Sequence, residues 1–399
     1  MTGENRIIHI STYGLAAFLF FTPFEYPLAD LMSISPLRII GLIAMVLAVI
    51  DIIRFNEFKA NYRFIGVFIW LTYGAITYLW SPDKSRFHIF YSLYLNNAVM
   101  FILFSLVQFK KSEVELLKKA IVYGVGALLI YMTFIPNSTV YSAYQHRLTL
   151  NAGRGGLDQN YLAALMLVSF GLVINSFIGS ECSLFKRIVM FVYCASILWY
   201  VVLTGSRSGL IAICLILLLN INVSWKTRFC VGIPVIIFIL IGIPIISNLL
   251  SVELLQRFSI SALTGNEGES GTRLIIWKVA TKSLNGLWWV IGHGVGASQA
   301  IVGNAIGTGV DMAIHNHYIA MITEVGLVGF LALNIPILKM IKREMNKQKE
   351  IAFGMIGILF MAMFLDVVTT KFFWSSLLLL SAACASYEYN NFNKGEDKV

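Results

Sequence analysis

The stretch RIVMFVYCASILWYVVLTGSRSGLIAICLILLLN, residues 187–220, decides the fold. Two apolar runs flank the short turn Thr204-Gly205-Ser206-Arg207-Ser208-Gly209. Neither run carries the charges that would give it a water-facing side. With its flanks each approaches the roughly 20 mostly apolar residues that cross a bilayer. The reading is two membrane helices joined by a tight turn, with one arginine held at the turn.

The rest of the chain repeats this texture. Of 399 residues, 58% are hydrophobic and 13% charged, with a mean hydropathy of +0.76. A soluble globular chain carries about 25% charge, so an ordinary cytosolic enzyme is excluded. The net charge of +9 is spread along the chain, with no local basic cluster interleaved with aromatics, so nucleic acid is not the partner. Apolar segments at 7–24, 37–53, 64–80, 87–107, 117–135, 161–178, 188–204, 208–224, 229–247, 317–338, 351–368 and 371–388 predict an all-α polytopic protein of about twelve transmembrane helices. The first of these reads as a retained span, because no small-residue cleavage site follows it. Five scattered cysteines, without a CxxC pair or a histidine at ligand spacing, imply neither a zinc site nor a disulfide framework.

Lys and Arg gather in the cytoplasmic loops of membrane proteins. With both termini inside, twelve spans place Arg54, Lys59 and Arg63, then Lys110, Lys111, Lys118 and Lys119, and then Lys339, Lys342, Arg343, Lys347 and Lys349 on one side. An odd number of spans would send one of the two larger clusters across. The domain reading is therefore helices 1–9 over 1–247, a large periplasmic loop over 248–316, and helices 10–12 with a tail over 317–399. The loop is long for a connection without a role. It contains LLSVELLQRFSI (249–260) and TRLIIWKVATKSLNGLWWVIG (272–292), whose helical periodicity predicts amphipathic helices. Trp277, Trp288 and Trp289 are then expected at headgroup depth.

Four constellations on the far side from the lysine clusters could carry chemistry. Arg207 in the Ser206-Arg207-Ser208-Gly209 turn is an always-charged fork suited to phosphate oxygens; the alternative is an interfacial arginine that snorkels to headgroups. Arg273 is expected in the first turn of its helix, where it opposes the dipole. That placement invites an anionic ligand, with a lipid headgroup as the alternative. In Ala313-Ile314-His315-Asn316-His317-Tyr318, a histidine at the membrane mouth can take a hydroxyl proton near neutral pH, or simply serve as a hydrogen-bonding residue. Glu324, two turns further on, is too costly to leave unpaired and calls for an arginine or a backbone partner. Finally, Arg147 and Arg154 flank a Gly155-Gly156 pair before Asp158 and Asn160. Asp158 reads first as a helix cap and second as an orienter of an arginine. Trp80-Ser81-Pro82-Asp83 reads as a span-ending turn with a capping residue. The cationic and histidine groups converge on one face with no acidic cluster to hold Mg²⁺, which suits a diphosphate bound by arginines while a histidine activates a hydroxyl.

The Ser206–Gly209 turn, Arg273-x-x-x-Trp277, Gly292-x-Gly294-x-Gly296, Asp158-Gln159-Asn160, and His315-Asn316-x-Tyr318 followed by Glu324-x-Gly326-x-x-Gly329 together resemble the bacterial O-antigen ligase/O-antigen polymerase superfamily. The resemblance is strongest over about 150–335. It implies a GT-C-like glycosyltransferase of the bacterial inner membrane, with its active site on the periplasmic side and no metal or other cofactor. The implied donor is an undecaprenyl-diphosphate-linked oligosaccharide; the acceptor is a glycan or the lipid A core, with membrane lipids around it and a chain-length regulator as a candidate partner. By the same resemblance Arg207 and Arg273 bind the donor diphosphate and His315 is the general base of an inverting displacement. Arg147, Arg154, Asp158 and Asn316 are candidate substrate-binding residues. Polymerase and ligase share these motifs and differ in acceptor; polymerase is the reading adopted, on the wider use of the family. A transporter or flippase of lipid-linked glycan is the alternative from another class, disfavoured by the large loop and the lack of an internal repeat.

Overall fold

The structure is a computed structural model that describes residues 8–31, 35–142, 147–151, 157–179, 182–220, 254, 269–307 and 312–396. The predicted span 229–247, Arg154, and the first amphipathic piece of the loop apart from Leu254 lie outside them.

The described chain is overwhelmingly helical. Its helices are α1 (Ile10–Phe21), α2 (Glu25–Leu31), α3 (Pro36–Phe55), α4 (Tyr62–Ile76), α5 (Lys84–Leu106), α6 (Lys111–Phe134), α7 (Gln159–Gly179), α8 (Leu184–Leu203), α9 (Arg207–Asn220), α10 (Glu269–Ser283), α11 (Trp288–Ile291), α12 (Ala297–Ile306), α13 (His317–Glu344), α14 (Lys349–Met361) and α15 (Lys371–Glu396). A two-stranded antiparallel hairpin, β1 (Thr139–Tyr141) with β2 (Leu148–Leu150), pairs Val140 with Thr149 between α6 and α7.

Helix boundaries follow local chemistry. Asn61 accepts from the amides of Arg63 and Phe64 to open α4, and Asp83 accepts from Arg86 to open α5, each satisfying donors that a helix N-terminus leaves free. Asp83 is the capping residue expected of the Trp80–Asp83 turn. Ser35 followed by Pro36 opens α3, and Asn56 closes it in the left-handed conformation.

Six helices among the described residues are long and apolar enough to cross a membrane: α3, α5, α6, α7, α8 and α13. Others are shorter than the apolar runs that predicted them. α14 stops at Met361 although the apolar run continues to 368, because the carbonyls of Ala362 and Leu365 turn to accept the amide of His317. α3 and α8 expose Leu42, Ile43, Ile53, Phe185, Phe191 and Val192, a surface suited to lipid rather than water. α7 lies deep in the bundle, packed on α14 and α9, and a Cβ on Gly354 of α14 would lie 2.8 Å from the Val168 backbone of α7. Small residues at such crossings let helices touch.

The bundle has two distinct ends. At one, His9 bonds Glu113 (2.9 Å) and Glu57 (3.0 Å), and Lys118 pairs with Glu350 (2.9 Å); Lys110, Lys111 and Lys347 lie at the helix ends here. This is the basic end. At the opposite end lie the hairpin, the α8–α9 turn, α10–α12 and the first residues of α7, α13 and α15. Every sequence-predicted site residue among the described residues is found there.

Candidate active site

The α8–α9 turn is built tightly. Gly205 is left-handed (φ 62°), and the buried Ser206 accepts the Gly209 amide on its hydroxyl (3.2 Å) and the Leu210 amide on its carbonyl (3.1 Å). Ser206 thus opens α9 with Arg207 as its first residue, half-buried at the mouth of the bundle. The turn is fastened from outside by Arg147, which leads into β2 and is almost completely buried. Its Nε donates to the Thr204 carbonyl (2.7 Å) and an Nη to Asn160 Oδ1 (2.9 Å). Asp158 accepts the Asn160 amide at 2.8 Å, so it caps α7, while Asn160 receives the arginine.

The second part of the site is the head of α13. Trp277 of α10 donates its indole N–H to the Ile314 carbonyl at 2.9 Å, and Ile276, Ala280, Val302, Ile314 and Ala320 form a small separate core beneath it. Arg273 lies one turn before Trp277 on the same helical face. The Arg-x-x-x-Trp spacing therefore joins Arg273 to the segment that ends in His315. Because α10 starts at Glu269, Arg273 falls in the second turn. The dipole conflict expected from a first-turn arginine is absent. His315 is partly buried and has φ 50°, a conformation uncommon for a residue with a Cβ and concentrated at functional positions. Asn316 follows and accepts the Ile319 amide at 3.1 Å, capping α13.

His317 is fully buried. Its amide is shared between the carbonyls of Ala362 (2.8 Å) and Leu365 (2.9 Å), its Nδ1 lies 3.5 Å from Asp366 Oδ1, and its Nε2 has no hydrogen-bond partner among the described residues. Tyr161 donates to the Asp366 carbonyl at 2.9 Å. The approach of Asp366 to His317 was not anticipated from the sequence. The available signal was a lone carboxylate in the last turn of the apolar run 351–368, where charge is expensive.

The third part explains Gly292-x-Gly294-x-Gly296 and Glu324. α13 is interrupted at Gly326 (φ 60°, ψ −172°), which deprives the Thr323 and Glu324 carbonyls of their helical donors. The amides of His293 and Gly294 replace them, each at 2.8 Å. The buried Glu324 carboxylate accepts from Ser298 of α12 (2.6 Å) and Tyr94 of α5 (2.9 Å). A backbone bond from Gly296 joins the two hydroxyls, so the carboxylate has the backbone partner anticipated for it, with hydroxyls in place of an arginine. His293 stacks on Trp288 with ring centroids 4.5 Å apart and donates to the Ser283 carbonyl (3.1 Å).

The Trp277 bond thus fastens α10, which carries Arg273, to Ile314, the residue before His315. Arg147 and Asp158 are joined through Asn160 beside the α8–α9 turn, which leads into Arg207. α14 packs on α7 and α9, and the turn that follows it holds the His317 amide.

A multi-pass membrane protein that gathers arginine and histidine with irregular backbone at one end of its bundle is the class defined by this fold and site. Residues 190–333 match the family model described as O-antigen ligase. This segment carries Arg207, Arg273 and His315, and its match supports the resemblance to the O-antigen ligase/O-antigen polymerase superfamily that the motifs indicated. No curated protein sequence matches the chain.

Proposed function

We propose that this protein is a glycosyltransferase of the bacterial inner membrane that moves an undecaprenyl-diphosphate-linked glycan onto an acceptor sugar hydroxyl at the periplasmic end of the bundle. The observation that carries this reading is the Trp277 bond to Ile314, which ties the Arg273 helix to the strained residue His315. The Lys110, Lys111 and Lys118 end is assigned to the cytoplasm by the distribution of positive charge, which makes the site end periplasmic.

In this reading His315 takes the proton of the acceptor hydroxyl. The acceptor oxygen then attacks the anomeric carbon of the donor from the face opposite the diphosphate, and the carbon–oxygen bond to the diphosphate breaks. The diphosphate leaves with the bonding electron pair, and configuration inverts. Arg207 and Arg273 hold the charge that develops on the leaving group, the kind of fixed electrostatic stabilisation that contributes most to such reactions. Histidine suits general-base work near neutral pH. Asp366, beside His317, belongs to the same end and supports the head of α13.

The acceptor distinguishes two activities. Repeat-unit polymerase is the reading adopted; ligation to the lipid A core is the second, favoured by the description of the matching family model. A gel of surface glycan from cells lacking the gene, complemented with wild type or His315→Ala, tests both, beside an extract of lipid-linked intermediates. Core bearing a single repeat without a ladder identifies a polymerase. Bare core with polymer accumulating on the carrier lipid identifies a ligase. An unchanged ladder refutes glycosyl transfer.

A further inference from the structure

A cavity of about 370 Å³ opens at the site end between the end of α1, α2, α5 and the first turns of α7 and α15. Its size falls at the lower end of small-molecule sites. The walls combine three aromatic faces, Tyr26, Tyr161 and Phe372, with Thr369 and an ion pair between Lys371 and Glu25. Lys371 is the one cation among the described lining residues, and Glu25 neutralises it. Asp158 adds negative potential at both Tyr26 and Tyr161. Burial, with the charges of Glu25 and Asp158, pushes the Tyr26 phenol up to about 12, so it stays a neutral hydrogen-bond donor.

Such a lining repels a diphosphate and suits a neutral polyol. Aromatic faces accept the C–H faces of a sugar ring, and a Lys/Glu pair matches vicinal hydroxyls that both donate and accept. The cavity also adjoins the site directly, since the Tyr161 hydroxyl in its wall donates to the Asp366 carbonyl, and Asp366 faces His317 two residues after His315.

We infer that this cavity binds the non-reducing end of the acceptor saccharide, apart from the arginines that take the donor diphosphate. The inference rests on the glycosyl-transfer reading for the word acceptor, and on the cavity lining alone for the word saccharide. It divides the site by charge: anionic donor at Arg207 and Arg273, neutral acceptor between Tyr26 and Tyr161.

The test uses the full-length protein in nanodiscs. Two probes are released by mild acid from cells lacking the gene: the lipid-linked oligosaccharide, freed of lipid and diphosphate, and the core oligosaccharide. Both are tagged at the reducing end. At least one should bind wild type and bind at least tenfold more weakly to Tyr26→Ala, which removes an aromatic face, and to Thr369→Trp, which fills the cavity, with both variants eluting as wild type. Inorganic pyrophosphate should not compete. The inference is overturned if neither probe binds wild type, if both variants bind like wild type, or if pyrophosphate displaces the saccharide. It is equally overturned if Thr369→Trp loses only a co-purifying phospholipid, which would make the cavity a headgroup site. Transfer from intact lipid-linked donor is measured separately. Tyr26-dependent binding without transfer keeps the saccharide site and removes the glycosyl-transfer reading.

Discussion

Replacing Gly326 by alanine should detach the segment 290–296 from α13. The backbone at Gly326 (φ 60°, ψ −172°) lies in a region open almost exclusively to glycine, and forcing another residue into it costs about 1–3 kcal/mol. The new Cβ would stand 2.2 Å from the Val290 carbonyl oxygen and 2.6 Å from the Gly292 nitrogen. These are backbone atoms, so no rotamer change relieves the overlap. Separation breaks the bonds from His293 to Thr323 and from Gly294 to Glu324, worth about 0.5–1.5 kcal/mol each. The total is about 2–6 kcal/mol, or roughly one to four powers of ten in the opening equilibrium. Hydrogen exchange of the peptide covering 290–298 reads this directly. Gly286→Ala is the internal control, since Gly286 also has positive φ (53°) but a Cβ there meets nothing within 4 Å. It should cost only the conformational share, about 1–2 kcal/mol. If Gly326→Ala leaves 290–298 as protected as in wild type, or no less protected than Gly286→Ala does, the close-contact argument fails.

Three further outcomes are expected. Trp277→Phe removes the donor to the buried Ile314 carbonyl at a cost of about 1–3 kcal/mol, and glycan transfer should fall several-fold at unchanged protein level; undiminished turnover would separate α10 from the chemistry. Arg147→Lys cannot serve both the Thr204 carbonyl and Asn160, because a single ammonium lacks the planar fork; a loss of about 1–3 kcal/mol should appear as a lower unfolding temperature, and a melting curve superimposable on wild type would count against the reading. His293 has its pKa lowered by burial, partly offset by its bond to the Ser283 carbonyl. The unfolded chain then binds the proton more readily than the folded one. Its stabilising contribution is complete above its ordinary value near 6.5 and is lost as pH falls through the lower folded value. Exchange protection of 288–296 should therefore drop on acidification and become flat in His293→Gln.

The membrane fold was legible because it rests on composition and run length, which need no tertiary information. Capping at Asp83 and Asp158 was legible for the same reason, since a cap is decided within a few residues. The Ser206–Gly209 turn and the Arg273–Trp277 spacing both fall within the segment that matches the family model. What periodicity could not supply was the set of long-range partners. The Glu324 carboxylate found hydroxyls on α5 and α12 rather than an arginine, a choice made by packing between segments far apart in sequence. The break in α13 was hidden because Gly326 sits in an apolar run that scores as a continuous span. The approach of Asp366 to His317 was hidden because the rest of α13 and all of α14 lie between them in sequence. Arg273 was misplaced by a turn because the helix begins at Glu269, before the apolar pattern does.

The hydrogen bonds at the site end follow one pattern. Helices that stop, break or turn there leave carbonyls without helical donors, and in a membrane protein such groups must be satisfied within the fold. Among the described residues several are met by donors from distant segments: Arg147 at Thr204, Trp80 at Gly292, Tyr73 at Ile291, Trp277 at Ile314, Tyr161 at Asp366, and the His317 amide at Ala362 and Leu365. At the basic end the tertiary contacts are mainly carboxylates paired with lysine and histidine. Irregular backbone is therefore concentrated where His315, Arg207 and Arg273 lie, and it is held by side chains whose own positions are fixed by other helices. A left-handed His315 needs such surroundings, since the strain it carries persists only where neighbours over-determine it. Trp277 on one side and the Ala362 and Leu365 carbonyls on the other supply that constraint. Loosening either should let His315 relax toward an ordinary conformation before it disturbs the bundle, so the site should lose its geometry at a lower temperature than the protein loses its fold.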